Sequence, residues 1–149
     1  MRGERTSKGV LMITGGCLCG AVRFRATAKP VAARVCWCKV CQKIGAGGPT
    51  VNAAFLTDSL TVEGTLKDYE SVADSGNKMH RRFCPACGTH LFSASEARPN
   101  LVFIRVGALD DPEIGRPTHT AWAASAPSWA CIDDTIPRDP GQPPPMSLP

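Results

Sequence analysis

Seven of the eight cysteines fall in three tight groups, and that grouping limits the fold more than anything else in the chain. Cys17-Leu18-Cys19 is a C-x-C pair, Cys36-Trp37-Cys38-Lys39-Val40-Cys41 a C-x-C-x-x-C trio, and Cys84-Pro85-Ala86-Cys87 a C-x-x-C pair. Thiols this close chelate a soft cation readily. A glycine follows the last cysteine of each pair, Gly20 and Gly88, where a turn with φ > 0 would aim backbone N–H groups at the sulfurs. Pooled, the two pairs fill a tetrahedron and close the segment 20–83 into one loop, which constrains the unfolded chain strongly. The trio encloses almost nothing, and it is one ligand short of a closed structural site. No histidine or carboxylate lies within five residues of it. Cys17, Cys19, Cys84 and Cys87 therefore read as a structural metal site, and Cys36, Cys38 and Cys41 as a metal site with an open, catalytic face. Spacing alone also admits Cys17, Cys19, Cys36 and Cys38 on one metal, with Cys41, Cys84 and Cys87 left over.

A chain of 149 residues matches one domain. With 14 Gly and 13 Pro it is turn-rich, which favours many short strands over long helices. Aromatic content of 6% implies a modest core that metal clips would help. Val10–Ile13 is too short for a signal-peptide core, and no run approaches a transmembrane span, so no membrane association is expected. A cytoplasmic location follows, where thiols stay reduced and eight cysteines read as metal ligands before disulfides. The formal charge of +4 ignores metal-bound thiolates. Basic residues are scattered without aromatic interleaving, which makes nucleic acid an unlikely partner. Oligomeric state leaves no trace in the sequence.

Residues 1–9 read as a flexible lead-in, 10–137 as the folded domain, and 138–149 as a proline-rich disordered tail. Val10–Thr14 and Ala21–Ala28 suit a hairpin around the first cysteine pair, the latter with Val22, Phe24 and Ala26 on one face. Val31–Val35 is a strand that delivers Cys36 to its end. Cys41–Ala46 suits one helical turn. Thr50–Leu56, Leu60–Glu63 and Thr65–Tyr69 follow as strands, the last two pairing around Gly64. Met79–Phe83 and Thr89–Phe92 flank the second pair, and Leu101–Val106 is the strongest strand. Thr118–Trp122 and Trp129–Ile132 close the series. The result is a mainly β, antiparallel, single-domain fold whose sheets are pinned at one end by the cysteine knuckles.

His80, His90 and His119 read as structural hydrogen-bonders before ligands. Trp122 and Trp129 are expected in the core, and Cys131 is expected to be buried and inert. Asp110-Asp111 and Asp133-Asp134 suit turns.

Taken together, GGCLCGAVRF, CWCKVCQKIGAG, SGNKMHRRFCPACGTHLF, VGALDDP and HTAWAASAPSWACIDD resemble the glutathione-dependent formaldehyde-activating enzyme (GFA) family, which includes the centromere protein V relatives. The likeness covers roughly residues 14 to 137 in the family's order. It implies a zinc-pinned β-tent, a structural zinc on Cys17, Cys19, Cys84 and Cys87, and a second, catalytic zinc on Cys36, Cys38 and Cys41. The family usually carries histidine where this chain has Trp37.

A zinc with three thiolates is a weak Lewis acid but a good trap for a further thiol, which it binds as thiolate. Adding that sulfur to formaldehyde or another small aldehyde is the carbon–sulfur lyase chemistry that the resemblance implies, with glutathione or a similar small thiol as partner. Glutathione carries two carboxylates, so basic residues near the trio are candidates for it: Lys43 and Lys39, and Arg82 or Arg81, of which alternation lets only one face the cleft. Trp37, locked beside the trio, is expected to wall the pocket. The competing reading is a non-catalytic zinc-binding interaction module.

Overall fold

The computed structural model describes residues 4–5, 9, 11–73 and 76–148. Among the described residues, eleven strands make two sheets. Strand β1 (Glu4–Arg5) pairs with β2 (Leu11–Gly16), which forms the expected hairpin with β3 (Arg23–Ala26). In β3 the alternation holds: Phe24 and Ala26 are buried while Arg23 and Arg25 face outward. After β4 (Ala32–Cys36), a short helix, α1 (Lys39–Ile44), begins two residues earlier than the expected turn at Cys41–Ala46. It starts there because Cys38 caps it, its sulfur accepting from the Cys41 amide at 3.3 Å.

Strand β5 (Thr50–Leu56) is followed by β6 (Leu60–Glu63), β7 (Lys67–Val72), β8 (Lys78–Phe83), β9 (His90–Ser95), β10 (Leu101–Arg105) and β11 (His119–Ala121). The small sheet runs β1-β2-β3-β6 and the large one β11-β4-β5-β10-β9-β8-β7. All pairs are antiparallel except β11 with β4. The expected pairing of β6 with β7 does not occur. β6 adds to β3, and the chain crosses at Gly64 into the large sheet, where β7 pairs with β8. Alternation marks a strand but is blind to its neighbour, and both strands here had a better partner.

The core lies between the sheets. Val22, Phe24 and Ile13 from the small sheet meet Phe55, Phe92, Leu91 and Ile104 from the large one. Phe24 and Phe92 cross edge-to-face, with centroids 5.4 Å apart.

Two expectations fail at the C-terminal end. Trp129–Ile132 forms no strand, Trp129 stands 69% exposed, and Cys131 is exposed instead of buried. The proline-rich segment is not loose: the Asp139 amide donates to Thr120, and Trp122, Ala123 and Ala124 donate to Gly141, Asp139 and Pro140. A segment poor in donors keeps its carbonyls, and here those of Asp139, Pro140 and Gly141 satisfy orphan amides around a 3-10 turn at Ala123–Ser125. Of the lead-in 1–9, Glu4–Arg5 joins the small sheet; its other residues apart from Gly9 lie outside the described ones. No helix among the described residues is long and apolar enough to cross a membrane.

Candidate metal centres and the basic sheet face

The two knuckles come from different sheets. Cys17 and Cys19 occupy the turn between β2 and β3, and Cys84 and Cys87 the turn between β8 and β9. Gly20 and Gly88 follow with φ of +80° and +75°, the left-handed turns foreseen from the sequence. The four sulfurs lie within 4.8 Å of one another, Cys17–Cys19 at 3.6 Å and Cys19–Cys84 at 3.8 Å. A tetrahedron with Zn–S near 2.3 Å has edges of about 3.8 Å, so this set fits zinc. The Val22 amide donates to Cys17 at 3.2 Å. The Thr89 hydroxyl lies 3.1 Å from the Cys87 sulfur and, with the Thr89 and Cys19 amides, pulls that thiol down to about 5. A thiol that ionises easily is ready to bind metal.

The trio gathers at the far end of β4. Cys36 ends the strand, and Cys38 and Cys41 flank the first turn of α1. Their sulfurs also lie within 4.8 Å of one another, and no other His, Cys, Asp or Glu atom among the described residues joins them. Three soft donors on one side suit zinc with a position left over. The thiols share protons. Cys38 is held far below the usual thiol range by hydrogen bonds from Cys36 and Cys41, helped by the Cys41 and Val40 amides, and Cys36 is pushed up correspondingly. Trp37 is 3% exposed; its amide donates to Ala121 and its carbonyl accepts from Gln42 Nε2 at 2.7 Å. It is packed inside the protein and offers no open stacking surface.

The partition with separate four- and three-cysteine groups is thus the one that forms. None of the three histidines joins either group. His80 lies between Asp68, at 2.5 Å, and Glu96, at 2.9 Å; His119 is 2.5 Å from Asp139; His90 stacks on Phe83. Asp68, Glu70 and His80 also converge, but Lys78 and Arg82 already neutralise them.

Residues opposed across a strand pair share a face, so the registers show what surrounds the trio. Cys36 opposes Thr50; one step along, Arg34 opposes Asn52, and Asn52 opposes Arg105. Phe103 opposes Ser93, and Ser93 opposes Arg81, which puts Arg81 on the same face as Cys36. Arg82 is on the other side, opposite Phe92 of the core, with its Nε 4.0 Å from Asp68. The expected substrate cation Arg82 therefore faces away from the trio, and alternation selects Arg81. Lys43 and Lys39 sit exposed on α1.

A hydrogen-bond chain ties this face to the trio. Arg105 Nη1 donates to Asn52 Oδ1, and Asn52 Nδ2 donates to Thr50 Oγ1 at 2.9 Å. The chain ends at Thr50. Cys36, joined by Thr50, favours the ionised form of the Cys41 thiol, while Cys38 and burial leave that pKa raised on balance. Such outer partners orient metal ligands. Thr50, Asn52 and Arg105 escape a reading of the sequence because only cross-strand register brings them to Cys36. Burial depresses the Arg105 pKa, while the thiols of Cys41, Cys36 and Cys38 pull the other way.

Comparison with known proteins agrees with this architecture. A crystal structure of a Rhodobacter sphaeroides protein superposes with a TM-score of 0.52 at 19% identity, over 85% of this chain and 99% of that one, a likeness of fold. A Halomonas elongata protein named "Putative glutathione-dependent formaldehyde-activating enzyme" is 30% identical over 130 residues, covering 83% of this chain and 82% of its own. The profile of the family described as "Glutathione-dependent formaldehyde-activating enzyme" matches residues 12–125. With both cysteine groups inside that span, the chain belongs to the glutathione-dependent formaldehyde-activating enzyme family.

Proposed function

We propose that the chain is a zinc-dependent carbon–sulfur lyase that joins a small thiol, glutathione or a close analogue, to formaldehyde or another small aldehyde. On this reading it holds two zinc ions, one structural at Cys17, Cys19, Cys84 and Cys87, and one catalytic at Cys36, Cys38 and Cys41. The observation that carries it is the convergence of three sulfurs with no fourth protein donor of the metal-binding types beside them among the described residues. Zinc at the trio would supply a position at which an incoming thiol gives up its proton near neutral pH.

The chemistry is an addition. The substrate sulfur bonds to the aldehyde carbon, the C=O π pair becomes a hydroxyl oxygen, and the proton lost by the thiol ends there. Reversal releases aldehyde and thiol. The protein's own residues position the reactants. Cys38 is fixed by the α1 amides, Cys41 by Thr50, and Trp37 closes the inner side of the centre. Reduced thiols are a requirement, which suits a cytoplasmic setting.

The test follows formaldehyde–thiol exchange by NMR with wild-type protein and with Cys38→Ser, alongside metal analysis. Acceleration by wild type, lost in Cys38→Ser, with close to two zinc per chain, is the expected result. An exchange rate unchanged by wild type across several thiols, with a single tightly held zinc, would leave a zinc-stapled binding module instead.

A further inference from the structure

On the small sheet and on the Arg82 face of β8, basic side chains meet carboxylates: Arg23 pairs with Asp110, Arg25 with Glu63, Lys78 with Glu70, and Arg82 with Asp68. The face that carries Cys36 is different. Among the described residues, Arg34, Arg81 and Arg105 have no acidic partner. Arg34 donates to the Pro144 carbonyl at 3.3 Å, Arg81 to the Ser71 hydroxyl, and Arg105 to Asn52. Arg105 Nε is buried and donates to nothing, and so is His90 Nδ1 beside it. A half-buried guanidinium without a carboxylate partner is costly, and a site that keeps several together suits an anion that arrives from outside. Guanidinium groups take carboxylates in two-pronged fashion.

Distance selects the kind of anion. Arg34 sits two residues along β4 from Cys36, about 7 Å at strand spacing, and Arg105 stands at the same level two strands over, about 12 Å from Cys36 between backbones. A small molecule with its sulfur at the trio and a carboxylate several bonds away spans that gap. We infer that Arg105 and Arg81, with Arg34 at the rim, form a carboxylate-binding subsite that selects acidic thiols over neutral ones. This inference rests on the proposed thiol chemistry for its purpose but not for its test. It also moves carboxylate recognition from Lys43 and Arg82 to the sheet face.

S-methylglutathione is the probe, since it keeps both carboxylates and has no thiol to bind metal. Titrate the zinc-loaded full chain with it and with its dimethyl ester, following backbone amide shifts by NMR. Wild type should bind the acid at least about tenfold more tightly than the ester, the scale of a charged hydrogen bond. Arg105→Gln and Arg81→Gln should each lose most of that preference, with Lys29→Gln as a wild-type-like control. Zinc content and amide dispersion confirm that each variant is folded, and two arginine variants guard against the failure of one. Equal binding of acid and ester, absence of binding of the acid at millimolar concentration, or arginine variants that bind like wild type would each overturn the subsite. Should exchange chemistry fail for all thiols while the acid still binds through Arg105 and Arg81, the subsite stands and the lyase reading falls.

Discussion

Asn52 holds Thr50 in place: its Nδ2 donates to Thr50 Oγ1 at 2.9 Å while its Oδ1 accepts from Arg105. That arrangement fixes which way the amide points, and it leaves the Thr50 proton free for the Cys41 sulfur. Breaking it should loosen the trio and spare the distant four-cysteine site. Thr50→Val keeps the side-chain shape and removes the hydroxyl. We expect about a ten- to hundredfold loss of affinity for the zinc proposed at the trio, the usual range for outer-sphere partners of a metal. Competition with a chromogenic chelator would resolve two release steps and show only the weaker one moved. A shift of both steps, or of neither, would count against the chain.

The two cysteine groups should separate stability from chemistry. Cys84 sits in the core, fully buried, in the knuckle that joins the sheets. If the four cysteines hold a metal as proposed, Cys84→Ser would remove a ligand whose binding energy is folding energy, and should leave a chain that does not fold cooperatively. Cys38→Ser removes a ligand from a site that encloses almost no chain, and should keep the melting transition within a few degrees of wild type. Calorimetry on the two variants reads this contrast directly. Equal damage from both would mean that the trio, too, is a staple.

His80 makes part of the stability depend on pH. Glu96 and then Asp68 raise its pKa above the ordinary 6.5, with Arg82 opposing and Glu70 and Lys78 also at hand. A group whose folded pKa is raised stabilises most when it is protonated in both states. Its contribution is therefore full below about pH 6.5 and fades as pH rises through the raised value. Glu96, held below the usual carboxylate range by His80, works the other way and loses its share only on acidification below about 4.5. Denaturant midpoints for wild type should fall between pH 6 and pH 8 more than those for His80→Gln. Parallel pH profiles would show that the cluster is too solvated to matter.

Much of the site was legible because metal ligands declare themselves by local spacing. C-x-C and C-x-x-C turns with glycine behind them form wherever they occur, so both cysteine groups and the alternation of Phe24 and Ile104 could be read directly. What was hidden depends on register. Arg81 and Arg105 stand 24 residues apart in the chain, yet the pairings through Ser93 and Phe103 bring them to one face. Nothing in a single strand distinguishes Arg81 from Arg82 until the neighbour is known. Trp129 and Cys131 misled for a related reason, because an apolar run reads as buried even where no element covers it.

The C-terminal segment shows the converse, a composition that suggests disorder in a stretch that is held. Its bonds are spread over Thr120, Trp122, Ala123 and Ala124, with Asp139 against His119 and the Gln142 side chain accepting from Trp122 Nε1 at 3.0 Å. Trp122 itself has φ of +56°, a conformation that a bulky residue keeps only when its surroundings enforce it. Deleting residues 139–149 should therefore cost about 3 kcal/mol, four backbone hydrogen bonds at roughly 1 kcal/mol each offset in part by recovered chain entropy. In a chain of this size that lowers the melting temperature by roughly 5–10 °C. Hydrogen exchange supplies the local check. Trp122, Ala123 and Ala124 amides should lose protection in the truncated protein while those of β9 and β10 keep it, and a truncation that leaves the three amides protected would mean that the tail only rests on the domain.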